Sequence, residues 1–253
     1  MAEEPGPAGA LWLGSPNPPR SLVKAVLLDM DGVLVDVRGS FRRAIAETVR
    51  HFSGREPAPG AVQAKKDAGG FNNDWVLSQS LLRDMGHEVP FDDVVGVFRG
   101  IYLGRDHDGL IASEPAAIET ATLEALAERY RLALVTGRPD ADAQWTLDRF
   151  GWTDLVPVVV GMDRQAGREK PDPYGLALAL SEVGAEARDA VFAGDTVDDV
   201  AAALAAGCTP VGVVPPGHDP DAHGRTLMGA GAHVVLSTPN ALPALLATLE
   251  REG

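Results

Sequence analysis

From Leu123 to Leu249 the chain alternates between two hydrophobic periods, and this alternation restricts its fold more than any other feature of the sequence. Leu132–Val135, Val156–Val160, Ala190–Ala193, Val211–Val214 and His233–Leu236 are short apolar runs that suit β-strands. Between and after them, Leu123–Tyr130, Ala141–Phe150, Tyr174–Val183, Val197–Ala206 and the stretch around Leu242–Leu249 read as helices. A further run, Leu22–Leu28, precedes the series, with Lys24 at its exposed start. Continuous apolar strands taking turns with helices predict a parallel sheet covered on both faces, a three-layer α/β core.

The region between the first run and the rest has a different texture. Phe41, Ile45, Val49 and Phe52 recur at helical spacing, with Arg42, Arg43, Glu47 and Arg50 between them. Helical patterns continue over Trp75–Met85 and Phe91–Tyr102, separated by loops that include Gly69-Gly70-Phe71-Asn72-Asn73-Asp74. No strand signal interrupts them. Residues 37–113 are therefore expected to form an all-helical domain inserted into an α/β core made of 21–36 and 114–253. The Pro- and Gly-rich residues 1–20 are expected to be a flexible tail, because Leu11-Trp12-Leu13 is too short for the apolar stretch of a signal peptide.

Composition removes several function classes. Lys plus Arg number 22 against 36 Asp plus Glu, so 22 − 36 gives a net charge of −14. That balance argues against a nucleic-acid backbone or an anionic membrane surface as the main partner. The single cysteine, Cys208, forms no intramolecular disulfide, which suits a reducing, cytoplasmic interior. No uncharged apolar run approaches the roughly 18–20 residues that span a bilayer. A monomer or homodimer acting on a small molecule is expected.

In open parallel sheets the active crevice lies at the carboxyl ends of the strands. Asp29-Met30-Asp31-Gly32 follows the first apolar run, and Thr136-Gly137-Arg138 follows the second. Lys170, in Glu169-Lys170-Pro171-Asp172-Pro173, lies beyond the third, and Gly194-Asp195-Thr196-Val197-Asp198-Asp199 follows the fourth. Carboxylates two residues apart at a strand end can point the same way. With Asp195 and Asp199 from a neighbouring strand end they gather negative charge that a buried site does not tolerate unpaired. A hard divalent cation with oxygen ligands is the simplest remedy, and Mg²⁺ favours one or two carboxylates plus a substrate phosphate. Thr136 and Lys170 then supply a donor and a positive charge for the oxygens of a transferring phosphoryl group.

Other features read as structure. Asp106-His107-Asp108-Gly109 imitates the first motif, but no apolar strand precedes it, so it reads as a loop. The histidines show no zinc spacing, and His218 and His223 read as surface residues of the loop Pro215–Gly224. Cys208 reads as a small buried hydrophobe. The segment Lys65–Trp75 admits two readings: a loop in which Asn73 or Asp74 caps the next helix with Trp75 in the core, or a specificity loop over the leaving group. Arg138 is either a substrate contact or half of a surface ion pair.

In their order, Asp29-x-Asp31-Gly32, Thr136-Gly137, Lys170-Pro171 and Gly194-Asp195-x-x-x-Asp199 resemble the four motifs of the haloacid dehalogenase-like superfamily. The helical insertion after the first motif resembles that superfamily's type-one cap. The resemblance covers Val23 to Leu249 and implies a Rossmann-like core with an inserted cap. It implies Asp29 as nucleophile and Asp31 as the acid that protonates the leaving oxygen and then activates water. Thr136, Gly137 and Gly32 are expected at the phosphate, with Lys170 neutralising charge. Asp29, the Asp31 carbonyl, Asp195 and Asp199 are the implied Mg²⁺ ligands, Asp199 directly or through water. An acid at Asp31 points within the superfamily to phosphatases and phosphomutases and away from dehalogenases. A phosphatase for a small soluble phosphomonoester is the expectation, with a phosphosugar mutase as the rival and an inactive binding protein on the same scaffold behind it. The cap is expected to close over the substrate about hinges near Gly32–Arg38 and Ala112–Ala116, with Arg138, Asn72, Asn73 and Trp75 as substrate contacts. The Gly-Gly-Phe-Asn-Asn-Asp-Trp segment resembles a subgroup with members fused to a histidine-biosynthesis enzyme. Histidinol phosphate is therefore a candidate substrate, with Trp75 against its imidazole, beside phosphoglycolate and sugar phosphates.

Overall fold

The computed structural model describes residues 9–13, 22–67, 71 and 73–252. They fall into two units, Met1–Asp36 with Ala116–Gly253, and Val37–Pro115. Among the described residues no helix is long and apolar enough to cross a membrane.

The first unit is built on a seven-stranded sheet in the order β1-β7-β6-β5-β2-β3-β4. Its strands are β1 (Ala10–Leu13), β2 (Ala25–Leu28), β3 (Arg131–Val135), β4 (Val158–Val160), β5 (Ala190–Gly194), β6 (Thr209–Val213) and β7 (Val234–Leu236). The last six are mutually parallel. Period two decides which residue faces which layer. Ala25, Leu27, Ala133, Val135, Ala190 and Phe192 share one buried cluster with Leu176, Ala179, Leu180, Ala203 and Cys208. The alternate residues Val26, Leu28, Leu132, Leu134, Val191 and Ala193 are buried as well. Both faces are thus covered, which is why the buried positions of these strands are apolar in succession rather than at every second one. Full burial of a leucine such as Leu27 or Leu28 stabilises by about 1.5–3 kcal/mol.

The helices of this unit are α5 (Thr120–Ala127), α6 (Asp140–Phe150), α7 (Tyr174–Val183), α8 (Val197–Ala206), α9 (Pro220–Ala230) and α10 (Leu242–Glu252). From β2 the chain adds β3 and then β4 on one side, and then returns to place β5 on the other side of β2. The strand order therefore reverses between β2 and β5, the point at whose carboxyl ends open parallel sheets place their sites.

The second unit is helical, with α1 (Phe41–Ser53), α2 (Ala61–Asp67), α3 (Asp74–Asp84) and α4 (Phe91–Tyr102). Ile45, Val49, Leu77, Leu81, Leu82, Val94 and Phe98 form its buried interior. The Phe41 ring stacks 4.6 Å from Tyr102. At its base, Ser40 Oγ donates to Glu114 Oε1 at 2.5 Å and the Tyr102 hydroxyl donates to the same oxygen at 3.1 Å.

Two readings of the sequence need correction here. Residues 10–13 lie in the segment read as a flexible tail, yet they form β1, antiparallel to β7 with Ala10 opposite Leu236 and Leu13 opposite Val234. The open edge of β7 offers unpaired amides and carbonyls, and even a short segment can satisfy them. A run of three apolar residues among prolines and glycines gives too little period to announce a strand. The loop reading of Pro215–Gly224 is overturned from Pro220 onward, where α9 begins. Asp219 accepts hydrogen bonds from the Asp221 and Ala222 amides and Pro220 occupies the first turn, a helix-start signal present in the sequence.

Candidate active site

Each polar motif sits where a strand ends. Asp29 follows β2, and its amide donates to the Ala193 carbonyl of β5 at 2.9 Å. The chain then turns tightly, with the Leu34 and Val35 amides bonded to the Met30 carbonyl at 2.8 and 3.0 Å and the Gly32 amide to the Val35 carbonyl at 2.9 Å. Gly32 has φ +76°, and a Cβ there would stand 2.3 Å from Asp195 Oδ2. The glycine is thus needed both for its backbone conformation and to admit the neighbouring carboxylate. Gly32→Ala is expected to cost about 1–2 kcal/mol from the left-handed backbone alone. By displacing Asp195 it should also lower turnover on the order of a hundredfold. Thermal unfolding and steady-state kinetics check the two effects separately.

Asp195 follows β5, and Asp199 lies in the first turn of α8. Thr196 caps that helix reciprocally: its hydroxyl accepts from the Asp199 amide at 3.2 Å while its own amide donates to Asp199 Oδ2 at 2.9 Å. The close approach is possible because Gly194 has no side chain, a Cβ there falling 2.3 Å from that of Asp199. Carboxylate oxygens of Asp29, Asp195 and Asp199 all lie within 4.8 Å of one another.

Lys170 enters this cluster from the segment after β4. Its Nζ lies 2.9 Å from Asp29 Oδ1 and 2.6 Å from Asp199 Oδ1, and it stands 5.4 Å above the Phe192 ring. Burial alone would lower its pKa, but Asp199 and Asp29 outweigh burial and hold it above the ordinary lysine range. Asp29 is pushed up to about 7 by burial, with Lys170 opposing and Asp199 and Asp31 adding repulsion. Asp195 is raised well above its ordinary value by burial and then by Asp199 and Asp29. One ammonium therefore faces more negative charge than it neutralises.

Thr136 is buried at the end of β3, its amide bonded to the Val160 carbonyl at 3.1 Å. The buried Gln165, which the sequence did not single out, donates from Nε2 to the Thr136 carbonyl at 2.7 Å and so fixes this loop. Gly137 is exposed with open space around it. Arg138 is not half of a surface ion pair, because its side chain is buried against Asp31. Asp198 is half-buried, and burial and Asp199 raise its pKa.

The helical-unit residues come out differently. Asn72 lies outside the described residues. Asn73 caps α3, accepting from the Trp75 and Val76 amides at 3.0 and 3.3 Å, so its carbonyl oxygen is engaged locally. Trp75 is half-buried in the first turn of α3. Asp106–Gly109 is a loop in which Asp108 Oδ1 accepts from the Arg105 amide at 2.9 Å.

His223, expected from the sequence at the surface of a loop, is placed differently. It is half-buried on α9, not a surface residue, and its Nε2 lies 2.7 Å from the Asp195 carbonyl. A carbonyl only accepts, so Nε2 carries the proton. Burial lowers its pKa, which keeps the ring neutral at physiological pH. The helix-start signal at Asp219-Pro220 would have placed His223 one turn inside α9.

A family model for haloacid dehalogenase-like hydrolases matches residues 23–207. The chain belongs to this family. An imidazoleglycerol-phosphate dehydratase of Phytophthora nicotianae is 36% identical over 86% of this chain, which spans only about half (51%) of that relative's length. A plasmid-encoded phosphoglycolate phosphatase of Cupriavidus necator is 32% identical over 88% of this chain and 92% of its own. Among solved structures, a predicted phosphoglycolate phosphatase from Haemophilus somnus superposes with a TM-score of 0.72 at 22% identity, covering 88% of this chain and 97% of that one. That likeness supports the α/β core. Family membership, the phosphatase relatives and the Asp29–Asp31 pair group this haloacid dehalogenase-like enzyme with the phosphatases.

Proposed function

We propose that this enzyme hydrolyses a small soluble phosphomonoester through an aspartyl-phosphate, with Mg²⁺ as cofactor. The observation that carries the reading is that two carboxylates on one loop are held by two different cations. Lys170 holds Asp29 at 2.9 Å, and Arg138 holds Asp31 at 2.6 Å. Identical side chains so placed can take different roles.

In this reading Asp29 Oδ2 attacks phosphorus while Lys170 engages Oδ1. The Asp29 oxygen–phosphorus bond forms, the bond to the leaving oxygen breaks, and Asp31 delivers its proton to that oxygen. Asp31, now ionised, takes a proton from water, whose oxygen attacks phosphorus and releases Asp29. The Thr136 hydroxyl and Gly137 amide hold the phosphoryl oxygens, and Lys170 offsets their charge.

A divalent cation fits the residues present, since a buried cluster of carboxylate oxygens with one ammonium remains under-neutralised. Asp29, Asp195 and the Asp31 carbonyl would hold it. Asp199, with Oδ1 on Lys170 and Oδ2 on Thr196, suits a contact through water. When bound, the cation supplies charge neutralisation between these acids and an incoming phosphate. We read the helical unit as the family's cap from its insertion point, and its residues as the source of substrate choice.

Release of inorganic phosphate from a panel of phosphoesters, with Mg²⁺ and with EDTA, tests the reading. The panel includes phosphoglycolate, after the Cupriavidus relative, and histidinol phosphate, after the imidazole compound in the Phytophthora relative's name. One ester hydrolysed with Mg²⁺ and spared with EDTA is the expected result. Isomerisation of a hexose phosphate without net phosphate release would instead make it a mutase. Absence of any turnover would leave a binding protein on the same scaffold.

A further inference from the structure

The Arg138 side chain is only 2% exposed, although the residue follows the exposed Gly137 at the rim of the sheet. Its Nε and Nη2 lie 2.8 and 2.6 Å from the same oxygen, Oδ1 of Asp31. Its Nη1 donates to Thr146 Oγ1 at 3.2 Å, and the Thr146 hydroxyl donates in turn to the Asp142 carbonyl at 2.9 Å, one turn earlier in α6. Thr146 is itself fully buried. Asp31, by contrast, keeps 32% of its side chain exposed. A planar guanidinium fixed at its far side on a helix is a rigid bracket, whereas a carboxylate on a turn has two free torsions.

We infer that Arg138 is a positioning residue for Asp31: anchored on α6 through Thr146, it grips Oδ1 and presents Oδ2 to the leaving oxygen and to water. The inference rests on the proposed acid–base role of Asp31. Proton exchange needs the carboxyl oxygen within about 2.6–3.2 Å of its partner. An Asp31 free to rotate would spend much of its time outside that range. Two N–H groups on one oxygen remove the rotation and leave the other oxygen available. The guanidinium is turned to Asp31 and Thr146, so its loss should slow proton transfer while leaving phosphate binding intact.

The test uses the full chain with Mg²⁺ and two esters, p-nitrophenyl phosphate and glycerol 2-phosphate. The nitrophenolate leaves with little need of a proton, while the alkoxide needs one. Arg138→Gln is expected to slow phosphoenzyme formation, read by rapid quench, about a hundredfold on the alkyl ester and clearly less on the aryl ester, while the water step shared by both esters slows equally. Inhibition by inorganic phosphate should change by less than about threefold, and in an Asp31→Asn background Arg138→Gln should add less than about threefold on the aryl ester. Arg138→Lys, which restores charge and one donor, should recover part of kcat.

A tenfold weaker inhibition by phosphate with unchanged kcat overturns the inference in favour of direct phosphate binding. Equal losses of phosphoenzyme formation on both esters and in both backgrounds overturn it in favour of a merely structural role. Wild-type kcat in Asp31→Asn alone instead removes the acid–base role, a result distinct from either. If Arg138→Gln does not fold, Thr146→Val tests the same bracket. Loss of kcat on the alkyl ester with phosphate inhibition intact supports it, and wild-type kcat on both esters overturns it.

Discussion

Asp29→Asn should abolish phosphate release, by at least about a thousandfold, while the protein stays folded. An amide oxygen is too weak a nucleophile to open a phosphoester, and no other carboxylate leaves β2 at that position. The substitution keeps the shape of the side chain and its place beside Lys170, so the sheet has no packing reason to change. It also removes a buried acid that burial and two neighbouring carboxylates already disfavour as an anion. Melting temperature should therefore be held or raised. Rapid-quench detection of the phosphorylated enzyme should show it in the wild type and not in the variant. Residual turnover above a few per cent of wild type would remove Asp29 from the nucleophile's role.

Lys170→Met is expected to have the largest effect on stability. The ammonium is buried between Asp29 and Asp199, and its removal leaves both carboxylates facing Asp195 without their cation. Deleting one partner of a buried ion pair costs about 3–5 kcal/mol. For a chain of this size that lowers the melting temperature on the order of 10 °C. The loss should deepen with pH. Lys170 is what holds the Asp29 pKa down, so in the variant that acid rises further above its unfolded value. An acid with a raised folded pKa binds more protons folded than unfolded, so stability falls as pH rises through that interval. Metal-free melting curves between pH 5 and 9 should diverge from those of the wild type toward the alkaline end. A variant as stable as the wild type at alkaline pH would show that the cluster is neutralised by something other than Lys170.

Much of this organisation was legible in the chain. The strands β2 to β7 and most of the helices announce themselves because a sheet buried on both faces needs continuous apolar runs, and its helices need periodic ones. Asp29, Thr136 and Asp195 could be assigned to one rim because each directly follows such a run, and parallel strands end together. The segment at 10–13 was illegible for the opposite reason. Its pairing is decided by the open edge of β7, a partner more than two hundred residues away, and not by its own composition. The capping role of Asn73 was an even choice in the sequence, because the same oxygen suits a helix start and a ligand pocket.

The sequence by itself determined which residue types reach the rim and in what order, since period and turn chemistry are local. Which acid is bound to which cation was decided only by the tertiary structure. Lys170 meets Asp29 and Asp199 across 141 and 29 positions, and Arg138 reaches Asp31 across 107. Gln165 under Thr136 and His223 under Asp195 are of the same kind, each supporting a loop that belongs to a different strand. Such pairings depend on the reversal of strand order that sets β5 beside β2, and on glycines at 32 and 194 that let carboxylates approach within a Cβ radius. Short-range patterning carries no record of those distances, because they are fixed by packing between layers rather than along the chain.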